Sequence, residues 1–112
     1  MMPYQHSALG ALVVRVPGPR LDGASAPALR RELGRLIFEG NRRIVLDLSE
    51  ADFIDSNGLS ALVWALRNLG NSGELVISGA CNTVMSMFKL TRLDRVFRIF
   101  RDHEQALAAL AS

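Results

Sequence analysis

Residues 43–48 read RIVLDL, a nearly continuous run of Ile44, Val45, Leu46 and Leu48 in which Val45 points to the side opposite Ile44, Leu46 and Leu48. A strand with one wet face alternates apolar and polar residues, whereas a strand apolar on both faces must be covered on both. Layers are therefore needed above and below this strand, and the neighbouring segments are of the kind that supply them. ALVVRVP at 11–17 is a valine-rich strand closed by Pro17, and ELVIS at 74–78 is another. VFRIF at 96–100 reads as a final strand, and PYQHS at 3–7 can pair with ALVVRVP as an edge strand. PGPRLDGAS at 17–25 is turn chemistry.

Helical spacing fills the gaps between strands. Ser25 stands as an N-cap with Pro27 in the first turn, and Leu29, Leu33, Leu36 and Ile37 form one stripe before Glu39-Gly40-Asn41 ends the helix. A second helix over about 57–69 carries Leu59, Leu62, Val63, Leu66 and Leu69, and GNSG ends it. A third starts near Asn82 with Val84, Met85 and Phe88. Asp102 and Gln105 resemble a capping box ahead of ALAALA, the last helix. Strands alternating with helices predict one α/β domain over 1–112: a mixed sheet of four to five strands, RIVLDL and ELVIS central, with about four helices packed against it. Leu46, Leu62, Leu66, Val76 and Phe88 are expected in the core.

Composition narrows the function. A hydrophobic fraction of 49% with 21% charged residues suits a packed core, not a disordered chain. Thirteen basic residues against eleven acidic ones, interleaved along the chain, make no basic stripe for nucleic acid. A single cysteine, Cys81, fits a reducing compartment. No basic, apolar leader opens the chain and no stretch of 18 apolar residues occurs, so a cytoplasmic protein without membrane insertion is expected. Phosphate-loop and dinucleotide motifs are absent. His6 and His103 stand in no metal spacing, HEQAL at 103–107 lacks the second histidine of a zinc helix, and GLSAL is no nucleophile elbow. Trp64 reads as partial core or surface cover. No enzyme, cofactor or metal site is expected.

What remains is DSNGL at 55–59, where the buried strand hands over to an apolar helix. As structure, Ser56 would cap that helix, Asp55 would favour its positive end, and Gly58 would permit close packing. As chemistry, a serine at a helix N-terminus is also a place where a phosphate is tolerated. Small-ligand binding could use the same loop, with nothing else in the sequence behind it.

This pattern resembles the STAS domains, and among them the single-domain bacterial anti-sigma factor antagonists. The family's Asp-Ser-Ser/Thr-Gly-Leu stretch reads here Asp55-Ser56-Asn57-Gly58-Leu59, preceded by ADFI. Its Gly-x-Leu-Asp turn appears as GPRLD at 18–22, with one extra residue, and Asp22 lies 33 residues (55 − 22) before Asp55. The likeness runs from about residue 8 to 110. Asn57 replaces the usual second hydroxyl, leaving Ser56 as the motif's single hydroxyl.

The resemblance implies a non-enzymatic, phosphorylation-controlled switch. Unphosphorylated at Ser56, such a protein binds a GHKL-type serine kinase that is also an anti-sigma factor; phosphorylation releases it, and a PP2C-type phosphatase resets it. ATP and metal belong to those partners. Asp22, Ser25, Asp55, Ser56, Asn57, Gly58 and Leu59 are the expected contact patch, with Ser25 the fallback acceptor. The alternative is a STAS module of a transporter, lipid-transport or scaffold assembly in which Ser56 is only a helix cap.

Overall fold

The computed structural model describes residues 4–6 and 10–111. Among these residues seven strands and four α-helices follow one another: β1 Tyr4–His6, β2 Leu12–Arg15, β3 Arg20–Leu21, α1 Ala26–Phe38, β4 Arg43–Asp47, β5 Phe53–Ile54, α2 Ser56–Leu69, β6 Glu74–Ser78, α3 Asn82–Leu90, β7 Ile99–Phe100 and α4 His103–Ala111. Five of the strands form one mixed sheet in the order β1-β2-β4-β6-β7. β1 is antiparallel to β2, and every other pairing is parallel. The edge strand expected from PYQHS is β1; Pro3 and Ser7 lie outside the described residues, as do positions 8 and 9 at the start of the family likeness.

The RIVLDL strand sits in the middle of the sheet, and its need for two covered faces is met. Ile44 and Leu46 face α1, α2 and α3, in a core with Leu33, Leu62 and Phe88. Val45 faces the other way, with Val13 and Val76, and meets Ala106 and Leu110 of α4. Ile44, Val45 and Leu46 are all 0% exposed, so the alternation of side chains sends them to two separate apolar layers.

Several sequence expectations are corrected. VFRIF contributes only Ile99 and Phe100 to the sheet. Leu93–Arg95 form a short 3-10 turn, after which Phe97 turns inward, edge-on to Phe88 at 5.9 Å between ring centroids. The aromatic is thus spent on the core and Val96 is left exposed. Leu66 is half-buried, while the small residues Ala61 and Ala65 lie on the buried side of α2. The turn PGPRLDGAS contains a strand, β3, which pairs in parallel with β5 as Arg20↔Phe53 and Leu21↔Ile54. This ladder is a second sheet of two short strands, and it places the site.

Candidate functional site: two turns joined by a short ladder

The β3–β5 register carries both chains out of the ladder side by side. The residue after β3 is Asp22 and the residue after β5 is Asp55, and the Asp55 N–H donates to the Leu21 carbonyl at 3.2 Å. Each aspartate then organises its own turn with its side chain.

Asp55 is the N-cap of α2. Its backbone is extended, and its Oδ1 accepts from the N–H groups of Asn57 at 2.9 Å and Gly58 at 3.1 Å. The cap expected of Ser56 therefore belongs to Asp55, because a carboxylate one residue earlier reaches the second and third helical N–H groups. Ser56 becomes the first helical residue, and its side chain is exposed. Asn57 is exposed as well, whereas Gly58 and Leu59 are buried, so they fix the helix and present little surface.

Gly58 is dictated by packing. A Cβ there would lie 2.5 Å from the Leu21 carbonyl oxygen and 2.8 Å from Ile54 Cγ1. No L side chain fits without moving β3 away from α2. At Gly23 a Cβ would meet the Asn57 amide nitrogen at 3.2 Å, so the two turns touch there as well.

Asp22 ties the first turn. Its Oδ1 accepts from the N–H groups of Ala24 at 3.1 Å and Ser25 at 3.3 Å, and its Oδ2 accepts from Arg20 Nε at 3.1 Å. The Arg20 hydrogen bond, seconded by those backbone donors, holds the Asp22 carboxyl below its ordinary value of 3.8 against the opposing effect of desolvation. Ser25 makes no side-chain cap to α1, contrary to expectation. Its hydroxyl instead donates to the Arg20 carbonyl at 2.8 Å and accepts from the Asp22 N–H at 3.0 Å. It is a brace inside the turn and half-buried, whereas Ser56 is exposed.

The seven residues expected at the site thus fall into a single pair of adjoining turns. Arg20, which holds Asp22 and lies over the Phe53 ring at 4.0 Å, was missed, because nothing in an isolated arginine two residues before an aspartate signals it. Trp64, read as partial core or surface cover, is half-buried; Arg30 lies over its ring at 4.7 Å and it packs at Gly34. A separate polar group lies at the ends of β2, β4 and β6: buried Asp47 stands 3.5 Å from Arg15 Nε and 3.8 Å from His103 Nδ1, beside buried Ser78. It joins the start of α4 to the sheet. Among the described residues, no three of His, Cys, Asp and Glu cluster to hold a metal ion, and no helix is long and apolar enough to cross a membrane.

Comparison with known proteins places this geometry. The model of the STAS domain family matches residues 4–106. The chain is 32% identical over 101 residues to BtrV of Bordetella bronchiseptica, named as a candidate anti-sigma factor antagonist, covering 89% of this chain and 86% of that one. It is 27% identical over 101 residues to the anti-sigma-F factor antagonist RsfB of Mycobacterium tuberculosis, covering 90% and 82%. The crystal structure of an anti-sigma factor antagonist from Mycobacterium paratuberculosis superposes with a TM-score of 0.91 at 27% identity, covering 100% of this chain and 94% of that one.

Proposed function

The chain belongs to the STAS domain family, and we propose that it is an anti-sigma factor antagonist whose binding is switched by phosphorylation of Ser56. One observation carries the reading. Ser56 is exposed at the head of α2, between the capping Asp55 and Asn57, in a turn locked to the Asp22 turn. The matched relatives, named as antagonists, are covered over most of their own length, which favours a switch protein over a module of a larger assembly. The partner is an anti-sigma factor, and in finer detail one of GHKL type that is also the serine kinase; a PP2C-type phosphatase reverses the modification. ATP and the phosphatase metal are theirs. The chain itself is a binding module, not an enzyme.

Asp55 already occupies the N–H groups of Asn57 and Gly58. A phosphate on Ser56 would add about −1.5 to −2 charge beside that carboxylate. In the free protein solvent screens the pair. In an interface without a new cation, the same charges cost about 2–5 kcal/mol, a large part of the roughly 5.5 kcal/mol that inverts a 99:1 equilibrium.

The test is incubation with the GHKL-type kinase and ATP, then mass spectrometry of the Ser56 peptide. Wild type should gain one phosphate there, and Ser56→Ala should gain none. Undiminished labelling of Ser56→Ala would overturn the assignment and move attention to Ser25. Ser56→Asp should keep a near-native melting temperature and lose kinase affinity, while Ser56→Ala binds and resists release by ATP.

A further inference from the structure

Small residues, among them Ala26, Gly34, Ser60 and Ala61, line the outer seam between α1 and α2. A groove of about 570 Å³ runs between them from Gly23 and Asn57 to Trp64. A second, of about 450 Å³, runs from Ser56 past Trp64 to Arg67. Arg30, Ser60 and Trp64 line both, so the two grooves adjoin along these residues and together make one furrowed face that reaches the serine turn.

Its charge is one-sided. Arg30, Arg31 and Arg67 line the furrow, and no acidic residue does. All three are exposed, and among the described residues none forms an ion pair. The contrast with Arg35, on the same helix, is direct: it lies outside the furrow and is bound to Glu32 at 2.6 Å and Glu39 at 2.7 Å. On α1 the arginines without a carboxylate are the two beside the groove, and Arg30 is held over the Trp64 ring, which keeps its stem ordered and its guanidinium edge available.

Resting on the proposed function, we infer that this furrow docks an acidic segment of the anti-sigma partner, with a carboxylate on Arg30 and an apolar side chain against Trp64. Charge complementarity selects the occupant: three unpaired guanidinium groups around an aromatic floor match a segment that carries carboxylates next to an apolar anchor. The arrangement also explains why a phosphate at a site near arginines should release a partner. Ser56 lines the same furrow as Arg30 and Arg67. A phosphate there repels the incoming carboxylates and weakens the field of the cations they need, so modification and partner compete for one set of charges.

Trp64 is the only tryptophan of the chain, so its fluorescence reports occupancy of the furrow. The experiment titrates the purified kinase that labels Ser56 into wild type and into the Arg30→Gln/Arg31→Gln/Arg67→Gln variant, at low and high salt. It reads affinity by calorimetry and Trp64 emission in parallel. Wild type should show a Trp64 response and affinity that falls steeply with salt. The variant should keep its melting temperature within a few degrees, lose about tenfold or more in affinity and show a flatter salt dependence. Ser56→Asp should cost less affinity in the variant than in wild type. Equal affinity and salt slope in both proteins, or binding that leaves Trp64 silent, would overturn the docking site while leaving the switch intact. A Trp64 response to ATP or inorganic phosphate alone, with none to the kinase, would overturn it in favour of a small anion. Absence of any binding by wild type would remove the proposed function and this inference together.

Discussion

Replacing Gly58 with alanine sets two effects of known size against each other. Alanine is the better helix former by about 0.8–1.0 kcal/mol, so an uncrowded glycine in α2 would be improved by the change. Gly58 is crowded. The new methyl would stand 2.5 Å from the Leu21 carbonyl oxygen, 2.8 Å from Ile54 Cγ1 and 2.9 Å from Leu21 Cγ. The first of these is backbone, held in the β3–β5 ladder, so it cannot swing aside as a side-chain tip would. Forcing a methyl group into such a site costs about 1–3 kcal/mol. With three contacts below 3.0 Å the upper part of that range applies, and the net loss is about 1–2 kcal/mol. For a chain of 112 residues that lowers the melting temperature by roughly 4–8 °C. Ser60→Ala is the control, an exposed position on the same helix where propensity acts alone and a small gain is expected. Thermal unfolding followed by circular dichroism measures both. If Gly58→Ala melts at or above wild type, the close approach of α2 to β3 does not hold. The displaced ladder should also separate the Asp22 turn from Ser56, so kinase affinity should fall further than Ser60→Ala lowers it.

Asp55→Ala should destabilise the domain by about 0.5–2 kcal/mol, since two N–H groups lose their acceptor; Asp55→Asn should recover most of this in urea unfolding. Leu62→Ala, at a side chain 0% exposed between α2 and the sheet, should cost about 2–5 kcal/mol. The folded Asp22 carboxyl titrates below 3.8 because Arg20 and the turn amides favour its charged form. Its contribution is therefore present above that value and lost as pH falls through the lower folded one. NMR titration of the Asp22 carboxyl carbon should show the lowered midpoint, and Arg20→Gln should move it back up.

The parts of the fold that the sequence reveals are those in which one periodicity persists over several residues. RIVLDL and ELVIS are legible because uninterrupted Ile, Val and Leu admit few other uses. The stripe from Leu29 to Ile37 is legible because it repeats over more than two turns. VFRIF misleads because an apolar run is the same string whether it pairs or packs, and here Phe97 packs on Phe88. β3 and β5 were invisible because two residues carry no period, and PGPRLDGAS reads as turn at each position. The site shows the same division. Its residues were found as a string, because Asp-Ser-Asn-Gly-Leu at a strand-to-helix junction is itself a local pattern. The pairing of that string with Asp22 depends on hydrogen bonds between segments over thirty residues apart, and only the resemblance to a family suggested it.

The identity of the cap bears on how a switch at Ser56 can work. Had Ser56 been the N-cap, its hydroxyl would have been committed to a backbone N–H, and a kinase would have had to break the cap to reach it. A phosphate there would then have taken over the helix end, rewarded by the vacant donors and the dipole. With Asp55 as the cap, the donors of Asn57 and Gly58 are already satisfied, and the exposed serine can be modified without loss of any bond that holds the helix. The phosphate then arrives where a carboxylate already stands, so the helix end itself does little to offset its charge. The modification is cheap for the fold and costly for a partner that must bury it. The division follows from one residue: the acid that anchors α2 also makes its first turn a poor place to bury a second anion.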